Sequence, residues 1–276
     1  MSEYVNRFLS LRCSGDVLNA TGRLREAEKE ITESMAVIQH LKGITLTDKM
    51  KYRVFDLCAG NALTSILAVH LLPVKSAIAV DLKKRSGNYG MVSRFFYLQE
   101  DIRKLSFDKE DSIIISVHPC KAANIIVDIF NTNKSVKHLI MMPCCNGSYQ
   151  DVTCYGWLHE TKKVSVYDLW TLHLAQNIKD ARVRIVTDRK VLSPKRNIII
   201  ANRLSAVTTA KHSTTLASRN ELSGDDIAAR EDAATDSIAS YGESVLCTGN
   251  DPQTALLTAV WESGIGLNAP MMHDRN

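Results

Sequence analysis

The stretch Val54–Thr64 (VFDLCAGNALT) holds the residues whose types and order are most suggestive of chemistry. Its pattern predicts a strand that runs into a tight turn, with a helix opening at once. Such a turn directs backbone N–H groups and small side chains at a ligand beyond the carboxyl end of the strand. Asp56, near the end of the strand, and Gly60, in the turn, are therefore candidate ligand-binding residues.

Two further acidic residues follow later predicted strands. Asp81 directly follows Ala77–Val80, twenty-five positions after Asp56, and a carboxylate there can accept hydrogen bonds from both hydroxyls of a ribose. Asp101 follows in Tyr97–Ile102, predicted as the third strand and the residues after it. Each aspartate alone could cap a helix or lie in a loop, but the three in this order favour binding of an adenosine-containing cofactor.

These residues resemble motif I and its companions in the class I S-adenosylmethionine-dependent methyltransferases. Asp56 matches the acidic residue of the motif and Gly60 its middle glycine, whereas Cys58 and Ala62 stand where many members have glycine. The resemblance implies S-adenosyl-L-methionine as the cofactor, with Asp101 near the adenine amino group. The cofactor-binding residues it implies are Asp56, Cys58, Gly60, Asn61, Asp81, Asp101 and Ile102. NAD is the rival with the same physics, but the GxGxxG fingerprint is absent.

A second resemblance comes from the ends of the fourth and fifth predicted strands. Ile113–Val117 runs into His118-Pro119-Cys120, and Leu139–Met142 into Pro143-Cys144-Cys145. This pairing resembles a branch that includes the tRNA acceptor-stem 2′-O-methyltransferases and eukaryotic methyltransferase-like proteins. The chain departs from that branch at Lys121, where the branch has glycine, and at Asn146, where it has an aromatic residue or histidine. The implied acceptor is RNA; a small molecule or protein acceptor, or an inactive scaffold, are alternatives.

His118 and Cys120 are the candidate catalytic residues. A histidine can take the proton from a ribose hydroxyl, although a histidine at a strand end can also be bound to the backbone. Cys120 stands where a thiolate nucleophile for cytosine C5 methylation would be. Cys144 and Cys145 are predicted to be buried structural thiols.

The charge distribution suggests a polyanionic partner. Residues 204–276 hold four basic and ten acidic residues, a net charge of −6, which leaves +10 on residues 1–203. A basic body is typical of proteins that bind RNA, although a solvated basic face has the same composition. Candidate phosphate contacts are Lys83, Lys84, Arg85, Arg94, Arg103, Lys104, Lys162 and Lys163. Candidate stacking groups are Tyr149, Tyr155 and Trp157, in the stretch Ser148–Glu160.

Other classes of protein fit poorly. The longest apolar runs, such as Ile66–Leu72, are too short to cross a bilayer, and Met1–Arg12 lacks the apolar core of a signal peptide. Seven cysteines at irregular spacing, with no CxxC pair, indicate reduced thiols and no metal site. We therefore expect a cytoplasmic protein with no membrane partner.

The elements that must position these residues follow from hydrophobic periodicity. Short β-branched runs alternate with helical stretches, which predicts an α/β, Rossmann-like, seven-stranded, mostly parallel sheet with helices on both faces. The polar loop Thr187–Arg196 between the last two strands predicts a closing antiparallel hairpin that leaves one edge strand reversed. Residues 23–42 should form an amphipathic helix that has its Glu and Lys residues on the solvent face and is capped by Gly43. We expect an N-terminal helical segment (1–43), a methyltransferase domain (44–203) and an acidic, flexible extension (204–276).

Overall fold

Seven strands form the central sheet of the computed structural model, which describes residues 2–107, 110–144 and 164–204. Each predicted strand is present, extended by a few residues where the apolar run was short. The strands are β1 (Arg53–Leu57), β2 (Ser76–Asp81), β3 (Phe95–Gln99), β4 (Ser112–Val117), β5 (Val136–Met142), β6 (Ala181–Thr187) and β7 (Asn197–Arg203).

The strand order is β3-β2-β1-β4-β5-β7-β6. Strands β1 to β5 are parallel, whereas β7 pairs antiparallel with both β5 and β6. The chain therefore builds outward from β1 in one direction through β2 and β3, and then in the other through β4 and β5. Such a reversal opens a crevice beyond the carboxyl ends of the two strands at the switch, here β1 and β4.

The predicted closing hairpin is confirmed, but the expectation that its reversed strand lies at the edge is wrong. The reversed strand, β7, lies between β5 and β6, and β6 forms the edge, parallel to β1 through β5. Insertion inside the sheet is consistent with the sequence of β7, since its first five residues are all buried. No residue of β6 is fully buried, and its second and fourth residues are exposed, which suits an edge.

Helices cover both faces of the sheet. They are α1 (Glu3–Leu9), α2 (Ser14–Ala20), α3 (Ala27–Thr45), α4 (Leu63–Leu71), α5 (Ala123–Thr132) and α6 (Val166–Gln176). One core joins helices α1 to α4 to alternate residues of the sheet, including Val54, Ile113, Ile115, Ile140 and Ile200. The intervening residues of the strands point to the opposite face, where α5 and α6 pack.

The N-terminal helices belong to the same core as the sheet. Phe8 of α1 and Leu41 of α3 are fully buried in the cluster that contains Val54 of β1. The Tyr4 hydroxyl of α1 donates to Asp188 Oδ2 at 2.6 Å, which fastens α1 to the β6–β7 loop. The domain boundaries at residues 43 and 203 stay predictions.

Helix α3 differs from its prediction at both ends. It begins at Ala27, and it runs through Gly43 to Thr45, so the predicted glycine cap is wrong. Thr45 Oγ1 donates to Leu41 O at 3.0 Å, and this bond together with burial of Thr45 carries the helix past the glycine. A residue with a poor helix propensity is tolerated where tertiary packing compensates.

None of the helices in the described ranges is long and apolar enough to cross a bilayer. Several predictions concern residues outside the described ranges: the lysines 162 and 163, the aromatic stretch 148–160, Cys145, Asn146 and the acidic extension from residue 205 onward.

Candidate functional site

The turn between β1 and α4 adopts a left-handed backbone at three alternate residues. The φ angles are 62° at Cys58, 54° at Gly60 and 64° at Ala62. These are the three positions where the motif has glycine, so the turn keeps its shape although two of the glycines are replaced. A left-handed non-glycine residue costs about 1–2 kcal/mol, and strain of this kind concentrates at functional sites.

Asp81, the last residue of β2, fastens this turn. Its Oδ2 accepts the Gly60 backbone N–H at 2.9 Å and its Oδ1 accepts the Lys83 N–H at 3.1 Å. On the other side of the turn, the Tyr97 hydroxyl donates to the Gly60 carbonyl at 2.7 Å. Side chains of β2 and β3 thus form hydrogen bonds with both the N–H and the carbonyl of Gly60. Each carboxylate oxygen has two acceptor sites, so Asp81 keeps capacity for a ligand.

Asp56 is a buried acid in the penultimate position of β1, with 2% of its surface exposed. Its Oδ2 accepts the backbone N–H of Ser65 in α4 at 3.2 Å. Burial raises the pKa of Asp56 to about 7, with the neighbouring Asp81 carboxylate as a smaller contribution. Loss of solvation disfavours the ionised form and explains the direction of the shift.

The Cys58 thiol lies among four of the other predicted site residues. Burial, and to a smaller extent the charges of Asp81, Asp56, Cys120 and Asp101, raise its pKa to about 12. Groups that follow or end strands β1, β2, β3 and β4 therefore share one electrostatic environment around Cys58. The dominant sign of that environment is negative.

Asp101 and Ile102 stand at the edge of this cluster. Asp101 caps a short 3-10 helix, Ile102–Lys104, and its Oδ1 accepts the Arg103 N–H at 3.0 Å. The guanidinium of Arg103 also contacts the carboxylate, and these hydrogen bonds lower the pKa of Asp101 to about 2. Ile102 is buried, with 7% of its surface exposed. Its predicted contact with a cofactor stays a prediction.

Helix α3 supplies side chains to this site that were not predicted from the sequence. Glu30 Oε2 accepts from the Asn61 side-chain amide at 2.5 Å. One turn later, Glu33 Oε1 lies 2.7 Å from His118 Nε2. The sequence interpretation placed the glutamates of this helix on its solvent face, and for Glu33 that is wrong, since only 2% of its surface is exposed. No signal in the sequence separates Glu33 from the exposed glutamates beside it.

The loop after β4 is also held in left-handed conformations. The φ angles are 57° at His118 and 49° at Cys120. The His118 backbone N–H donates to the carbonyl of Met142 in β5 at 2.9 Å, and its side chain is 23% exposed. The histidine ring therefore faces Glu33 while the backbone is fixed separately.

Two thiols meet where β4 and β5 end. Cys120 Sγ lies 3.2 Å from Cys144 Sγ, a distance well beyond that of a disulfide bond. Cys120 is exposed and Cys144 half-buried, so the prediction of a buried thiol at Cys144 is wrong. The strand that precedes Cys144 is fully buried over its last four residues, but the chain has already left the sheet at Pro143.

The predicted basic residues do not all lie at the same ends of the strands: some are at the carboxyl ends and one is at an amino end. Lys83, Lys84 and Arg85 follow the carboxyl end of β2 and are exposed. Arg94 precedes β3, at the opposite edge, and its guanidinium donates to the carbonyls of Val69 and Val74, so it does not extend the same surface. Arg103 is paired with Asp101, and Lys104 lies 3.6 Å from Glu100.

Within the described ranges, no group of three or more histidine, cysteine or acidic side chains is arranged to hold a metal ion.

The role of Gly60 in the turn predicts a contrast between two glycines. A Cβ added at either Gly60 or Gly43 would meet no atom within 4 Å, so steric contact plays no part. Gly60→Ala should lower the free energy of unfolding by about 1–2 kcal/mol, because φ is positive there. Gly43→Ala should raise it by about 0.5–1 kcal/mol, because that residue lies inside α3. Urea denaturation of both variants measures the difference, and equal effects would contradict the left-handed turn.

No family model matches the chain, and no curated protein matches it in sequence. Among solved structures, the 23S rRNA methyltransferase ErmE is 11% identical, with a TM-score of 0.43 over 71% of this chain and 77% of that one. A dimethyladenosine transferase from Plasmodium falciparum is 16% identical, with a TM-score of 0.42 over 63% and 62% of the two chains. The magnesium protoporphyrin IX methyltransferase (ChlM) from Synechocystis PCC 6803, solved with bound SAH, is 13% identical, with a TM-score of 0.41 over 72% and 99%.

Proposed function

We propose that this chain is an S-adenosylmethionine-dependent methyltransferase that acts on RNA. The observation that carries the proposal is the bond from the Gly60 N–H to the Asp81 carboxylate, at the carboxyl edge of a sheet in which only β7 is reversed. It joins the glycine turn after the first strand to the acid that ends the second. That juxtaposition suits the ribose of an adenosine-containing cofactor.

The charge of the site favours a cationic cofactor. S-adenosylmethionine carries a sulfonium and an ammonium group against one carboxylate, whereas NAD carries two negative phosphates. The acids Asp56, Asp81 and Asp101 all act on Cys58 and raise its pKa. A negative field of this kind attracts the first cofactor and repels the second.

The residues of the turn also fit such a ligand in space. A Cβ added at Gly60 would meet no atom within 4 Å, so there is room for a ligand beside this glycine. Asp81 would hold the ribose hydroxyls, and Gly60 and Asn61 would lie along the cofactor. Asp101 and Ile102 would border the adenine.

The positions of His118 and Cys120 support a role for both residues at the methyl acceptor. Both residues follow β4, which pairs with β1 where the strand order changes direction. The charge of Cys120 raises the pKa of the Cys58 thiol. When bound, the cofactor supplies an electrophilic methyl group on sulfur. The protein must hold the acceptor in line with it and accept the proton that the acceptor loses. We assign that proton to His118, with Cys120 as a candidate nucleophile if the acceptor is a cytosine.

RNA is the acceptor best supported by charge. The body of the chain is basic, and Lys83 and Arg85 are exposed next to Asp81, with no ion pair in the described ranges. Lys84 Nζ lies 5.8 Å from the centre of the Tyr89 ring and 5.9 Å from that of Tyr97. A small molecule or a protein acceptor remains the alternative, as does a cofactor-binding domain without turnover.

The cofactor is tested by calorimetric titration of the purified chain with S-adenosylmethionine and, separately, with NAD. We expect saturable binding of the former only. Asp81→Asn should weaken it at least tenfold, because it loses a charged acceptor for the ribose and for Gly60. Asp128→Asn, an exposed acid on α5, is the matched control and should bind as the wild type does. Preferential binding of NAD, or no effect at Asp81, would contradict the assignment.

Cofactor affinity should increase with pH through the titration of Asp56. The pKa of this acid is raised to about 7 in the free protein, so it is mostly protonated at pH 6 and ionised at pH 8. A cation binds the ionised form more tightly, and the dissociation constant should fall about tenfold between these pH values. Asp56→Asn should lose this part of the dependence, while the cofactor's own amino group titrates alike with both proteins. An identical pH dependence for the two proteins would contradict the role of Asp56.

RNA binding should depend on the basic segment after β2. Replacing Lys83, Lys84 and Arg85 together by alanine should lower affinity for single-stranded RNA and reduce the slope of log K against log salt by about 2, since each lost phosphate contact removes about 0.7. Replacing Lys42, Lys49 and Lys179 together by alanine, three exposed residues elsewhere, is the control with the same charge change. Fluorescence anisotropy at several salt concentrations gives both slopes, and an unchanged slope for the triple variant would place RNA elsewhere.

A further inference from the structure

Glu33 is a buried acid with a single partner. It lies in the first half of α3, with 2% of its surface exposed, and its Oε1 is 2.7 Å from His118 Nε2. The two atoms are close enough for an ion pair, but neither forms a hydrogen bond of the required geometry in the described ranges. Burying a carboxylate is costly unless it is paired, and an apolar residue at this position of α3 would pack without that cost.

We propose that Glu33 is a positioning residue that orients His118 as the proton acceptor of the reaction. This inference rests on the proposed methyltransferase function and adds a residue to it. The backbone of His118 is fixed by its bond to Met142 O and by its φ of 57°. Rotation of the ring is the freedom that remains, and the contact with Glu33 removes it.

The contact also selects which ring nitrogen can accept a proton. With Nε2 facing the carboxylate, the neutral ring carries its hydrogen on Nε2 and leaves Nδ1 with its lone pair. Nδ1 makes no hydrogen bond to the described residues, and the side chain is 23% exposed, so an acceptor can reach it. Glu33 then stabilises the imidazolium that forms.

The step balances in atoms and charge. The acceptor hydroxyl oxygen forms a bond to the methyl carbon while the bond from that carbon to the sulfonium sulfur breaks, and the electron pair stays on sulfur. The hydroxyl proton moves to His118 Nδ1. Solvent later removes that proton from the positive ring.

Helix α3 makes this arrangement specific. Glu30, one turn before Glu33, is bonded to Asn61 in the turn after β1, and Ser34 Oγ lies 3.0 Å from Thr64 Oγ1 in α4. The same helix thus fixes the cofactor turn and the histidine after β4. Their relative placement is set by one rigid element.

The first test is spectroscopic and requires no substrate. Long-range ¹H–¹⁵N correlation spectra of histidine-labelled protein should show His118 with its hydrogen on Nε2, and Glu33→Gln should change this signature. His138, whose Nδ1 lies 2.7 Å from Asn202 Oδ1, is an internal control that should not change. A His118 signature that Glu33→Gln leaves unaltered would overturn the positioning role.

The second test measures transfer of labelled methyl groups to RNA. Glu33→Gln should lower kcat by about 10- to 100-fold with KM for RNA and cofactor affinity within about twofold, because proton acceptance acts only in the transition state. Glu33→Asp should recover part of the loss, since it keeps the charge. Glu28→Gln, an exposed residue of the same helix, should be as active as the wild type.

A double variant separates positioning from an independent effect. Combining Glu33→Gln with His118→Ala should lower kcat no further than His118→Ala alone, because the two residues act as a unit. Additive losses would overturn the inference while leaving the proposed function intact. Failure of the wild type to bind S-adenosylmethionine would instead remove the proposed function. Circular dichroism and the retained cofactor affinity check that each variant is folded.

Discussion

The structure of the site depends on one hydrogen bond, from the Gly60 N–H to the Asp81 carboxylate. It closes the turn after β1 against the end of β2, and the parallel register of the two strands brings their carboxyl ends level. An acid there has two uses, because a carboxylate can hold a backbone N–H and still accept from a ligand. The geometry of the turn and the charge of the site therefore come from the same residue.

Three acids, Asp56, Asp81 and Asp101, lie around Cys58, and of these Asp101 is paired with Arg103. Asp56 is buried, and its pKa is raised to about 7. The pKa of the nearby Cys58 thiol is raised to about 12. Such shifts show that ionisation in the free protein is unfavourable. A cationic ligand would relieve that cost, which links cofactor binding to the protonation of the site.

The fold could be predicted from sequence because its signals are local. Apolar runs marked six of the strands, the residues before Asp101 marked β3, and the polar loop between β6 and β7 marked the hairpin. The position of β7 inside the sheet could not be predicted. Either β6 or β7 could pair with the free edge of β5, and the sequence of the hairpin does not indicate which of the two does so. The end of α3 was missed because packing of Thr45 outweighs the propensity of Gly43.

The candidate site was predictable only where a residue follows a strand. Asp56, Cys58, Asp81, Asp101 and Cys120 were predicted in this way, and the charges of the other four raise the pKa of Cys58. Glu33 was not found, because its burial is set by contact with an element 85 residues away in the chain. Periodicity within a helix predicts a polar face but cannot tell which part of that face another element covers.

Backbone strain marks the same crevice as the charges do. Of the seven non-glycine residues with positive φ in the described ranges, Cys58 and Ala62 follow β1 while His118 and Cys120 follow β4. The other three, Met50, Arg94 and Asp180, each precede a strand and therefore lie near the amino ends of the parallel strands. Strain of about 1 kcal/mol or more per residue persists only where surrounding contacts over-determine it. Here those contacts are Asp81 and Tyr97 on the first turn, and Glu33 and Met142 on the second. Both sides of the crevice are therefore held in shape before any ligand arrives, and binding need not supply the energy to form them.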